Sequence, residues 1–122
     1  MLRLSRTRSH MSIQRLQQCV SKGDATGALD ILTQLEHKRS ELSPECVVLA
    51  ARAAVVAHWS DAQTVAIWSR MEKLSFKPGV HHYASILKQH ARLGSAEGAV
   101  KWFERANDNV RYSYHRRWKN RN

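Results

Sequence analysis

Seven histidines are the residues of this chain that could most readily do chemistry: His10, His37, His58, His81, His82, His90 and His115. A helical zinc site needs two of them four residues apart on one face, and no pair has that spacing. Cys19 and Cys46 are too far apart in sequence to form a thiolate clip, and they read as free thiols in a reducing compartment. There is no glycine-rich phosphate loop and no nucleophile elbow. The expectation is therefore a protein that is not an enzyme, with no metal and no cofactor.

What remains is charge with aromatics. The stretch "NVRYSYHRRWKNRN" holds Arg111, Arg116, Arg117, Lys119 and Arg121, interleaved with Tyr112, Tyr114 and Trp118, and contains no acid. Arginine makes paired hydrogen bonds to phosphate, and an aromatic face stacks on an unpaired base for about 1–3 kcal/mol. Both on one short segment suit folded RNA, where phosphates and splayed bases lie side by side. The opening stretch, "MLRLSRTRSHMS", carries Arg3, Arg6 and Arg8 among serines and leucines, again without acid, which is the composition of a mitochondrial presequence.

The location of the charge is more informative than its size. Of 20 Lys and Arg against 10 Asp and Glu, residues 1–22 and 109–122 each contribute five cations and no acid. The middle of the chain is therefore neutral. A chain of 122 residues makes one modest core, so the pattern is a neutral scaffold with basic ends, suited to nucleic acid or an acidic partner. The most apolar stretch, "CVVLAARAAVVAHW", is interrupted by Arg52 and is too short to span a membrane.

The scaffold reads as all-α. In "HHYASILKQHARLG", Tyr83, Ile86, Leu87 and Ala91 fall at helical spacing and Gly94 can end the element. In "SAEGAVKWFERAND", Ser95 is a candidate N-cap and Ala99, Trp102, Phe103 and Ala106 form one stripe. The valine pairs Val47–Val48 and Val55–Val56 are interleaved with alanines, which favours helix over strand. Sliding the chain by 35 lays Ile67 on Trp102 and Trp68 on Phe103, with Trp59 in place of the turn glycine; sliding by 71 lays Gly23 on Gly94 and Leu32 on Phe103. Pro44 and Pro78 precede the second and third units. Three helical hairpins follow, at 10–41, 44–76 and 78–110, flanked by basic arms at 1–9 and 111–122.

The stretch "FKPGVHHYASILKQHARLGSAEGAVKWFERA" resembles a pentatricopeptide repeat through Pro78, Val80, Tyr83, Ile86, Leu87, Gly94, Glu97, Ala99, Trp102 and Phe103. The two earlier hairpins match less well, and the resemblance spans about residues 10–110. It implies a short right-handed α-solenoid of the kind common in organellar RNA metabolism and organellar ribosomes. RNA-reading members carry polar residues at set positions of each repeat, one base per repeat. Here those positions fall on Leu49, Ala84 and Gly79, which cannot discriminate base edges. Base-specific readout by the hairpins is therefore not expected.

The function expected is a structural subunit of a mitochondrial (matrix) ribonucleoprotein, foremost the mitochondrial ribosome. Its repeats would dock on proteins and its arms on rRNA. The alternative is a protein-only adaptor or accessory subunit of a mitochondrial respiratory or assembly complex. Trp59, at a turn, and His82, towards the groove, are the candidate protein-interface residues. Partners are expected to cap the first and last hairpins, because a three-repeat stack has poorly covered ends.

Overall fold

The computed structural model describes the backbone of residues 2–38 and 42–121 and the side chains of residues 11–38 and 42–108. All its regular elements are helices: α1 (Leu2–Lys22), α2 (Ala25–His37), α3 (Pro44–Val56), α4 (Asp61–Trp68), α5 (Arg70–Lys73), α6 (Val80–Arg92) and α7 (Ala96–Arg121). They divide into two compact units, residues 1–78 and 79–122.

In the first unit α3 packs against α1, α2 and α4 at once. Its sequence permits this: from Cys46 to Val55 every residue except Arg52 is buried, and most are Ala or Val. A helix that is apolar all round has to be enclosed, and small side chains let several neighbours approach its axis. Pro44 occupies its first turn, where the missing N–H costs nothing. Leu16 and Cys19 of α1 join Ala28, Leu32 and Leu35 of α2 in the same core. The Arg70 guanidinium of α5 meets the Glu36 carboxylate of α2 at 3.1 Å, linking the second helices of the two hairpins.

The α4–α5 pair is one bent helix. Ser69 directs both its N–H and its Oγ at the Val65 carbonyl, at 2.8 and 2.9 Å. Back-bonding of this kind bends a helix where it occurs. The start of α4 is held by a capping box. The Ser60 Oγ accepts from the Gln63 N–H at 3.2 Å, and the Gln63 Oε1 accepts from the Ser60 N–H at 3.0 Å.

Three of the turns between paired helices close alike. Gly23, His58 and Gly94 are left-handed, at φ 67°, 59° and 70°. In each case the following N–H reaches back five residues to a carbonyl: Asp24 to Cys19 at 2.9 Å, Trp59 to Ala54 at 3.0 Å, and Ser95 to His90 at 2.9 Å. This is the Schellman closure of a helix. The expectation that Trp59 replaces the turn glycine is thereby corrected, because His58 holds the left-handed place. Trp59 is an added residue between that turn and the N-cap, whereas Asp24 and Ser95 follow their glycines directly. The added residue shifts the register of the first helices. Counted from the N-caps Ser43 and Gly79, Ala84 pairs with Val48, not with Leu49.

The ends also differ from expectation. Residues 1–9 and 111–121, expected as arms, continue α1 and α7 as helical backbone. The reason is local: neither 1–22 nor 99–122 contains a glycine or proline to stop the helix. In the second unit α6 and α7 pack as a hairpin, with Tyr83, Ile86 and Trp102 buried. Gly98 makes close packing possible there, since a methyl at this position would lie 2.4 Å from the Nδ1 of His90.

Two substitutions check this reading. His58→Gly should raise stability by about 0.5–1 kcal/mol, because a non-glycine residue is strained at that φ. Gly98→Ala should lower it by about 1–2 kcal/mol, with overpacking outweighing alanine's better helix propensity. Urea denaturation followed by circular dichroism measures both. A stabilising Gly98→Ala would show that the contact with His90 is slack.

Candidate interaction surfaces

The residues expected to touch RNA lie on the two long terminal helices. Arg3, Arg6 and Arg8 fall in α1, and Arg111, Tyr112, Tyr114, Arg116, Arg117, Trp118, Lys119 and Arg121 fall in α7. Their side chains lie outside the described residues. What the backbone adds is reach: a helix of 26 residues is about 39 Å long.

Trp59 is half-buried beside its turn, and its N–H is engaged in closing α3. His82 serves its own helix. The Gly79 N–H donates to His82 Nδ1 at 2.8 Å, so the ring caps the start of α6 where a glycine N-cap has no side chain to do so. The His81 ring lies beside it, with centroids 3.9 Å apart. Val48 and Leu49 are both buried and Ala84 is half-buried, and none of the three side chains carries a hydrogen-bonding group.

The surface that sequence reasoning missed is on α7. Ala99, Trp102, Phe103 and Ala106 were expected to share one buried stripe. Trp102 is fully buried, with the Arg105 guanidinium 5.4 Å from its ring centroid. Phe103, by contrast, is 60% exposed and Val100 is 55% exposed. The available signal was comparative. Phe103, Leu32 and Trp68 each stand eight residues after an N-cap (Ser95, Asp24 and Ser60), and the other two are buried.

Two further features complete the inventory. A crevice of about 220 Å³ between α1 and α2 is lined by Met11, Ile31 and Leu35, with Arg15 and Lys38 at its rim. Sites that enclose a small molecule are generally larger. The cysteines are buried free thiols, with Cys46 Sγ 3.4 Å from Ser43 Oγ. Burial, reinforced by the Asp24 carboxylate, pushes the Cys19 thiol up from its ordinary value. Among the described residues no three His, Cys, Asp or Glu side chains lie close enough to share a metal ion. No helix searched there is long and apolar enough to cross a membrane.

The thiols give a direct check. Burial of both thiols, with the raised pKa of Cys19 leaving less thiolate there, should make alkylation in the native state at least about tenfold slower than in denaturant. Mass spectrometry after timed iodoacetamide treatment counts the adducts. Rapid labelling of Cys19 without denaturant would contradict its burial.

No protein-family model, curated protein or solved structure matches this chain, and the functional reading is carried by its own residues.

Proposed function

We propose that this chain is a non-catalytic, pentatricopeptide-type helical-repeat subunit of a mitochondrial ribonucleoprotein, foremost the mitochondrial ribosome. Its hairpins form a short solenoid scaffold, and its basic ends contact rRNA. The observation that carries this reading is the partition of charge. All the excess cations stand in two acid-free stretches, one running the length of α1 and the other the C-terminal half of α7, while residues 23–108 are neutral. Counterion release from phosphate favours such clustering, and arginine with tyrosine and tryptophan in one stretch adds stacking on unpaired bases.

The repeat reading is supported by the recurrence of a left-handed turn residue at 23, 58 and 94, each one or two residues before a helix N-cap. The mitochondrial assignment is supported by the arginine- and serine-rich, acid-free opening stretch. The second reading, a protein-only adaptor of a mitochondrial respiratory or assembly complex, is favoured by one observation: Val48, Leu49 and Ala84 offer no hydrogen bonds to a base. The two readings agree on the hairpins, which bind protein, and part only at the ends.

The test compares the full chain with one ending at Asn109 for binding to a structured RNA across a salt series. Loss of the five C-terminal cations should weaken binding and flatten the dependence of log K on log salt by about 3.5–4.5, at roughly 0.7–0.9 per phosphate contact. Equal affinity and equal slope for both chains would assign those residues to a protein surface and remove RNA from the account.

A further inference from the structure

The crevice between α1 and α2 combines an apolar lining with positive charge. Met11, Ile31 and Leu35 line it together with the Gln34 amide, and Arg15 and Lys38 stand at its rim. Among the described residues that line it, two are cations and none is an acid. The acids of α2, Asp30 and Glu36, lie outside the lining, and Glu36 is held by Arg70 at 3.1 Å. The two cations come from different elements. Arg15 belongs to the acid-free stretch of α1, and Lys38 follows the last turn of α2. The crevice therefore lies on the basic first end of the chain.

Its lining is not closed by the protein itself. Ile31 and Leu35 are buried, but Met11 is 53% exposed and Gln34 is exposed beside them. At about 220 Å³ the space is too small to enclose a small molecule, yet it can take one ring of a larger one. An unpaired nucleotide has the matching parts. Its flat base suits an apolar lining, and a methionine sulfur packs well against an aromatic ring. The base edge carries donors and acceptors, and an amide offers one of each. The phosphates on either side of the base are anions, and the rim is cationic. An acidic side chain would meet the cations but brings no ring for the lining.

We propose that this crevice holds one unpaired nucleotide of an RNA. The base lies against Met11, Ile31 and Leu35 with its edge on the Gln34 amide, and the flanking phosphates meet Arg15 and Lys38. The inference rests on the reading that the chain binds RNA, and it assigns a base-holding pocket to the first hairpin.

The methionines of the chain are Met1, Met11 and Met71, so methyl-labelled methionine in the full chain places one reporter in the crevice and one, Met71, in the core. Met11→Leu assigns the signal. The probes are a short RNA hairpin with an unpaired loop, the same hairpin with abasic loop nucleotides, and a capped peptide of aspartate and leucine. The intact RNA should shift the Met11 methyl resonance and leave Met71 in place. Removing the loop bases should weaken binding at least about tenfold, or about 1.4 kcal/mol. Gln34→Ala and Met11→Ser, both at exposed positions, should weaken the intact RNA several-fold, leave the abasic RNA unchanged and leave the thermal melt unchanged. Arg15→Gln combined with Lys38→Gln should flatten the dependence of log K on log salt by about 1.4, at roughly 0.7 per contact on a single strand. The proposal is overturned by RNA binding that leaves Met11 unmoved, by equal losses of intact and abasic RNA in Gln34→Ala and Met11→Ser, or by a Met11 shift produced by the peptide in preference to the RNA. Each of these leaves standing an RNA contact at residues 110–122, which the comparison of chain lengths reads separately. Absence of any RNA binding would remove both.

Discussion

Enclosure of α3 is the constraint on which the first unit depends. Nine of its thirteen residues are buried, and its core-facing residues are mostly Ala and Val, so α1, α2 and α4 can all reach it. Such a helix is unstable alone in water and comes to rest only when surrounded. The short turns bring its neighbours into place, since a Schellman closure with an N-cap directly after it, or one residue on at Trp59, leaves little freedom between paired helices. Enlarging any of its central alanines would have to displace a neighbouring helix, because interiors packed to this density do not absorb added methyl groups.

Much of this was legible in the chain. Apolar residues at helical spacing, Gly23 and Gly94 at helix ends and Pro44 at a helix start are local signals, and the structure places each in that role. His58 was not legible as a turn residue, because a left-handed histidine has no compositional mark and the neighbouring tryptophan aligned better by eye. The helical ends were obscured by their charge. Arginine is a good helix former, and net charge says nothing about backbone conformation when breakers are missing. The exposure of Phe103 was illegible in principle from its own stretch, which matches the buried stripes of the other hairpins. Burial is decided by what stands opposite, and here the second neighbour found at α2 has no counterpart in the unit of α7.

The function proposed divides one small chain between two kinds of contact. Neutral hairpins present apolar or half-buried side chains where a base-reading repeat would need donors and acceptors, and they suit protein neighbours. The charged ends suit a polyanion. Helix α7 carries both: an apolar face at Phe103 near its start and five cations beyond Asn109. A component that sits where protein meets RNA in a large particle needs this combination, and a freely diffusing adaptor does not.

The central claim is membership of a ribonucleoprotein, and sedimentation of the native chain tests it most directly. Mitochondrial extract would be run on a density gradient before and after nuclease treatment, and the chain followed by antibody. The account predicts co-migration with a large particle and release into light fractions once the RNA is digested. Migration unaffected by nuclease, whether in a heavy complex or as a free protein, would contradict it.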